Sequence, residues 1–295
     1  MRGKNILLAL VILSGLAVGC SAKTQSVKEQ VEGLDKLGKI TVIAREDGSG
    51  TRGAFAGLVG LDKGAAKDTG DATRSDAVKA ETTEEVVSKV EEDPAAIGYI
   101  SMGAAKDLTQ EKILKVDGKE GTTENVEKGN YPLSRSFYLA YSGTLNDLEQ
   151  DFLTYVKGKG QDIVSESFVP VAKSSTFLSN QAEGELVIHG STSAAALLEQ
   201  LSDEYCQINP HAKITVEQSD STEGLNDAMQ GKCDFAMASR ELKDYEKELL
   251  NYEMIAKDGI EVIVNKENPL EDLSMKELEE IYTGTVSAWQ ELNEK

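Results

Sequence analysis

The chain has 295 residues, 31 basic and 51 acidic, for a formal charge of −20 at pH 7. With 40% hydrophobic and 28% charged residues it has the composition of an ordinary globular protein, which excludes an intrinsically disordered chain, and its length allows one large domain or two smaller ones. So negative a charge sets aside nucleic acid and anionic membrane surfaces as principal partners.

In chain order, Arg2 and Lys4 precede an apolar run from Ile6 to Val18, which is followed by Cys20. The run is too short to cross a bilayer and reads as a secretory leader. "LAVGC" resembles a bacterial lipobox, in which the cysteine is acylated and becomes the mature N-terminus; Ala17 stands where Leu is usual. The expectation is a signal peptide over 1–19, lipidation at Cys20, a polar tether over 20–37 and an extracytoplasmic location, lipid-anchored to the cell membrane. An ordinary cleaved leader is the alternative.

Beyond the tether, short apolar runs alternate with amphipathic ones, the pattern of an α/β protein. Strands are expected at 40–45, 96–101, 113–116, 137–141, 185–189, 213–217, 234–238 and 260–265. Helices are expected at 83–92, 145–157, 194–205, 224–230 and 275–283. Thr82 with Glu85 and Ser274 with Glu277 have the spacing of capping boxes. The polar stretch Phe177 to Glu185 reads as a soft boundary between two structured blocks.

Two strand-to-helix corners are dressed alike: "VIAREDGSGTRGAF" from Val42 and "VIHGSTSAAALLEQL" from Val187. Gly48 and Gly50 let the backbone approach a ligand, and the following helix aims free N–H groups and a positive dipole end at the corner. Ser49 and Thr51 add hydroxyls, and Arg45 adds a charged fork suited to an oxyanion. Ser191, Thr192 and Ser193 repeat the device, and "QSDSTEG" places Ser221 ahead of a third helix. Taken singly, each corner is equally well a helix cap. Together they form a nest of dipoles that can hold an anion inside an acidic protein.

Other chemistries have little to build on. The corners lack GxxxxGK[ST] and GxSxG, and His189 in a strand reads as a packing residue rather than a general base, so neither a nucleotide loop nor a hydrolase is expected. Cys206 and Cys233 are the cysteines left after Cys20, as free thiols or as a bridge, and their spacing suggests no zinc site. The protein is therefore expected not to be an enzyme and to use no metal and no cofactor.

The segments "GSTSAAALLEQLSDEY", "INPHAKITVEQSDSTEGLNDAMQGKCDFAMASREL", "DGIEVIVNKENPLEDLSMKELEEIYTGTVSAWQEL", "ITVIAREDGSGTRGAF", "AAIGYIS", "YPLSRSFYL" and "FVPV" span nearly all of 39–295. They resemble the phosphate-binding lipoproteins that serve ABC transporters. The resemblance implies an α/β, two-lobed type II periplasmic-binding-protein fold with a hinge and central cleft. The order differs from the family's: 39–171 precedes 184–292, and "WQELNEK" would run directly into "LGKITVIAREDGSGT", so the fold is expected to be circularly permuted. Exchange of halves with a second copy is an alternative. Crossing strands are expected near Val262–Lys266 and Pro132–Phe137. One lobe would then span 38–135 plus 266–295 and carry the Arg/GSGT corner, and the other, 137–264, the GSTS corner.

Residue by residue, the resemblance implies phosphate contacts from Thr192 and Ser193, from Ser221, and from Arg45, Ser49, Gly50 and Thr51 on the opposing lobe, with Ser239 of "MASRE" as a further contact. Arg240 is expected in a structural ion pair. "QSDSTEG" lacks the glycines usual before Ser221 and sets Asp220 and Glu223 nearby. Asp47 is expected either to cap its turn or to accept a hydrogen from hydrogen phosphate, which sulfate cannot offer. The implied partners are inorganic phosphate, an ABC transporter permease and, through the N-terminal lipid, the membrane, with no nucleic acid. A non-transport surface sensor or interaction protein on the same scaffold, or a binder of sulfate or molybdate, is the alternative.

Overall fold

The computed structural model describes residues 33–62 and 70–294; the leader, Cys20 and the tether before residue 33 lie outside them. The first half runs β1 (Thr41–Arg45), α1 (Gly50–Val59), β2 (Val78–Ala80), α2 (Thr83–Glu92), β3 (Ala96–Ser101), β4 (Glu111–Val116), α3 (Thr123–Glu127), β5 (Ser134–Tyr141), α4 (Asp147–Lys157), α5 (Gln161–Ser167) and β6 (Val169–Pro170). The second runs β7 (Gly184–Ser191), α6 (Thr192–Ile208), β8 (Ala212–Ser219), α7 (Ser221–Met229), β9 (Phe235–Ala238), α8 (Asp244–Leu249), β10 (Asn251–Asn265), β11 (Asp272–Leu273) and α9 (Met275–Thr283). Each strand expected from the sequence is present, several of them longer. Ser274 and Glu277 close a full capping box, whereas the Glu85 side chain takes the N–H of Glu81 rather than that of Thr82.

The main path of the sheet is β2-β1-β3-β10-β5-β9-β7-β8, with β4, β6 and β11 branching from it. Strand β10 belongs to both halves. Its residues 251–259 pair antiparallel with β5, and its residues 260–264 pair antiparallel with β3. The second passage between lobes lies alongside: Ile260 N–H donates to Leu133 O at 2.8 Å and the Tyr131 hydroxyl to Ile260 O at 2.8 Å. The crossing on β10 therefore falls at Asp258–Ile260, earlier than the expected 262–266, because Val262, Ile263 and Val264 pair with Tyr99, Gly98 and Ile97. Polar Lys257 and Asp258 look like the end of a strand in the sequence, but the strand continues back through them to Asn251.

Lobe one packs α1 and α9 on its sheet through Phe55, which stacks on Tyr99 with centroids 4.1 Å apart and meets the edge of Tyr282 at 4.7 Å. Residues near the two ends of the described chain meet here: Ile40 N–H donates to Ser287 O and Trp289 N–H to Gly38 O. Lobe two gathers Phe152, Tyr155, Tyr205 and Phe235 between α4, α6 and its sheet. The polar stretch 177–185 joins the two sequence blocks inside lobe two. The Ser179 hydroxyl and Asn180 N–H bind Asp151 of α4, whose carboxylate also accepts from Tyr205 of α6, so the stretch is stapled within lobe two. Cys206 and Cys233 are free thiols.

At the crossing, Glu261 is 5% exposed, and its carboxylate lies 3.4 Å from the Tyr131 hydroxyl. Burial, reinforced by Asp258, raises its pKa to about 8. A carboxyl raised in the folded state holds its proton while the unfolded chain loses it, so its contribution to stability is complete below pH 4.5 and is lost as pH rises toward 8. Glu261→Gln should melt like the wild type near pH 4.5 and be more stable at pH 8, by on the order of 3 kcal/mol. Thermal melts at the two pH values check this; an equal difference at both would refute it.

Candidate functional site

Three helices begin at the carboxyl ends of strands and point their N-termini at one region between the lobes. Strand β1 leads to α1, capped by Ser49, whose side chain accepts the Arg52 N–H. Strand β7 leads to α6, where Ser191 holds the cap position with no side-chain cap bond, leaving its hydroxyl free for other partners. Strand β8 leads to α7, capped by Asp220. The turn from β7 into α6 requires glycine: Gly190 has φ 136°, and a Cβ there would meet the Met237 carbonyl oxygen of β9 at 2.5 Å. Gly50 is required for a different reason, since its Cβ would fall on the hydroxyls of Ser221 and Ser239 in the opposite lobe. These two glycines bring backbone N–H groups, hydroxyls and dipole ends from both lobes together.

The hydroxyls form one connected set. Thr51 donates to Ser193 across the lobes at 3.1 Å, Ser193 lies 3.1 Å from Ser191, and Ser191 donates to Ser239 at 2.8 Å. Ser239 lies 3.4 Å from the Ser221 hydroxyl, which also accepts the Ser239 N–H at 3.1 Å. Hydroxyls both donate and accept, so the set can turn its hydrogens toward a bound oxyanion.

Two buried guanidinium groups flank this set. Arg45 reaches Thr192 at 3.1 Å while its fork holds Glu46 at 2.8 and 2.9 Å and the Glu81 carbonyl at 2.9 Å. Burial raises the Glu46 carboxyl above its ordinary value even though Arg45 opposes the shift. Arg135 is 7% exposed; its Nη1 donates to Thr51 at 2.8 Å and to the Ser239 carbonyl at 3.2 Å. Its Nε donates to Asp258 at 2.7 Å, and Asp258 also accepts from Ser101 and the Met102 N–H. Burial pushes Asp258 up and Arg135 down, while each keeps an opposite charge within 2.7 Å.

The expected residues Arg45, Gly50, Thr51, Thr192, Ser193, Ser221 and Ser239 thus meet at one place. Ser49 is at the same corner, but its hydroxyl turns back to cap α1. Asp47 stands apart: its side chain is 73% exposed and is held by Arg52 at 2.5 Å and Lys79 at 2.9 Å, and the Lys79 hydrogen bond leads in holding its carboxyl below the usual range. The acceptor role expected of Asp47 is therefore not supported by its position, because two surface cations draw it outward. Asp220, expected as a possible source of repulsion, is occupied by the N–H groups of Thr222 and Glu223 at 2.7 and 2.8 Å. Arg240 forms a two-pronged pair with buried Glu246 at 2.8 and 2.9 Å and donates to the Thr222 hydroxyl at 3.2 Å, so it supports the Ser221 corner from behind. Ser191, named with its corner in the sequence, joins the hydroxyl set. Arg135 and Asp258 were missed; Arg135 stands in "YPLSRSFYL", but nothing local in that segment says that its guanidinium reaches Thr51. The His189 ring binds Asp227 at 2.9 Å, and among the described residues no cluster could hold a metal ion.

The sequence matches the PBP superfamily domain over residues 13–158 and 175–295. It is 36% identical over 294 residues to "Phosphate-binding protein PstS 2" of Streptococcus pneumoniae, covering 98% of each chain. It is 34% identical over 300 residues to the protein of the same name in Streptococcus agalactiae, covering 98% of this chain and 99% of that one. A phosphate-binding protein of a phosphate ABC transporter from S. pneumoniae superposes with a TM-score of 0.71 at 37% identity, covering 86% of this chain and 99% of that one. Against "Phosphate-binding protein PstS" of Staphylococcus aureus, by contrast, the match extends over 121 residues, 38% of this chain. The streptococcal matches run end to end in a single order, so the block order that reads as a permutation is shared with those relatives and is not peculiar to this chain. On these matches and this geometry, the chain belongs to the PstS phosphate-binding proteins of the PBP superfamily.

Proposed function

We propose that this chain is an extracytoplasmic, lipid-anchored solute-binding protein that captures inorganic phosphate between its lobes and delivers it to the permease of an ABC importer. The observation that carries the reading is the convergence of three helix N-termini, a connected set of hydroxyls and two buried arginines on one point between the lobes. Such a point suits a small tetrahedral anion, which can take a donor from every side.

In this reading Gly50, Thr51, Thr192, Ser193, Ser221 and Ser239 surround the anion, with Arg45 contributing charge. Each arginine already has a carboxylate partner, so much of the anion's stabilisation comes from oriented dipoles rather than excess positive charge. The serine hydroxyls can also accept the hydrogen of hydrogen phosphate. Closure is written into direct contacts between lobes: Gly48 O accepts from the Thr222 hydroxyl at 3.0 Å, and Lys106 reaches the Glu166 carbonyl and the Ser167 hydroxyl. Binding at the centre favours this closed arrangement over an open one, and the closed form is the shape a permease can distinguish.

Calorimetric titration of the soluble form beginning after Cys20 should give one phosphate per chain, undisturbed by excess sulfate. A folded protein that takes up no phosphate would overturn the reading in favour of a sensor or interaction role. Gly50→Ala should retain the wild-type fold but lose phosphate affinity by more than about tenfold, since its methyl group occupies the space of the opposing hydroxyls. Asp47→Asn should leave the preference for phosphate over sulfate unchanged in competition binding; a weakened preference would return Asp47 to the site.

A further inference from the structure

Arg135 has a feature that its structural bonds do not account for. Its Nη2 is buried and paired with Asp258 at 2.7 Å, but it makes no directed hydrogen bond among the described residues, because Nε already donates to the same carboxylate oxygen. A buried guanidinium nitrogen that is ion-paired but makes no directed hydrogen bond keeps an N–H that a bound oxyanion can use. Nη1 of the same planar group is already bound to Thr51, in the middle of the hydroxyl set. Arg135 also lines a cleft of about 780 Å³ between the lobes whose charged walls are of both signs, Arg240, Lys243 and Lys257 with Asp62, Glu127 and Glu241.

Its anchorage is equally specific. Arg135 and Asp258 face each other across the β5–β10 pair, at the point where both chain passages cross between lobes. Ser101 and Met102 of lobe one hold the other carboxylate oxygen. The charged or titratable groups bearing on Arg135 are Asp258 on β10, Arg45 on β1 and the Tyr99 phenol on β3. Asp258 thus sets the direction of the guanidinium and leaves an Nη2 hydrogen without a directed acceptor.

We infer that Arg135 is a second cationic contact for the bound oxyanion, aimed by Asp258, and that it gives the site a preference for the doubly charged form of phosphate over the singly charged form. The inference rests on the phosphate reading above and adds to it a residue and a charge specificity. A guanidinium edge donates more strongly to an oxygen carrying more charge, so removing it weakens dianion binding more than monoanion binding.

The test is calorimetric titration with phosphate on the mildly acidic and mildly alkaline sides of its second ionisation, using wild type, Arg135→Gln, Arg135→Lys and the double variant Arg135→Gln/Asp258→Asn. The double variant removes both charges, so no carboxylate is left buried alone, and thermal melts confirm which variants are folded. Arg135→Gln and the double variant should lose roughly ten- to a hundredfold in affinity on the alkaline side and clearly less on the acidic side. Arg135→Lys, which keeps the charge without the fork, should recover part of the loss. An unchanged affinity in the folded double variant, or a loss equal at both pH values, would overturn the inference while leaving the phosphate reading intact. A wild-type protein that binds no phosphate would overturn both.

Discussion

Both lobes hydrogen-bond to the same strand, and most of the site follows from that sharing. Strand β10 gives its first part to β5 and its second to β3, so the two sheets turn about the short stretch around Asp258. The carboxyl ends of β1 and β7 are thereby brought face to face, and the helices that follow them point their N-termini at each other. Arg135 and Asp258 lock this stretch from within. Their ion pair joins the two crossing segments, and the same guanidinium touches Thr51 of one lobe and the Ser239 carbonyl of the other. A change of angle between the lobes must therefore rearrange bonds inside the site itself, which links occupancy to closure without any longer path.

A protein with a formal charge of −20 that binds an anion has to protect the binding point from its own field. It does so by assigning nearby carboxylates to other partners. Glu46 is held by the Arg45 fork, Asp220 by two helix N–H groups, Asp258 by Arg135 and Ser101, and Asp47 by Arg52 and Lys79 at the surface. What then faces the centre is N–H and O–H. Hydroxyls suit this task because they reorient without moving heavy atoms and can take the proton of a protonated anion as readily as they donate.

The aromatic packing of lobe one serves the same end. Phe55 of α1 stacks on Tyr99, whose hydroxyl accepts the Arg45 N–H at 3.2 Å, so the core contact that seats the helix also fixes the strand end bearing the arginine. Tyr282 of α9 closes the cluster and donates to the Ile43 carbonyl. The first corner is thus rigid, whereas the contacts that cross between lobes are hydroxyl and carbonyl hydrogen bonds, which can break and re-form as the cleft opens.

The sequence by itself determined the local devices: the alternation that makes an α/β chain, the Gly/Ser/Thr corners before helices and Arg45 beside one of them, while Ser239 was reached through the family resemblance. These are legible because a strand, a helix start and a tight turn are each dictated by a few neighbouring residues. The order of the two halves could also be read, since blocks keep their identity wherever they stand in the chain. Tertiary structure alone decided three matters. It carried β10 through the polar pair Lys257 and Asp258, because partners on β5 and on lobe one satisfy groups that would otherwise end a strand. It turned Asp47 outward, since Lys79, distant in sequence, lies beside it. And it brought Arg135 from a crossing segment into the hydroxyl set, held by an aspartate 123 residues away. Pairings between residues so far apart leave no periodicity in the sequence; they exist only once the shared strand has folded the lobes against each other.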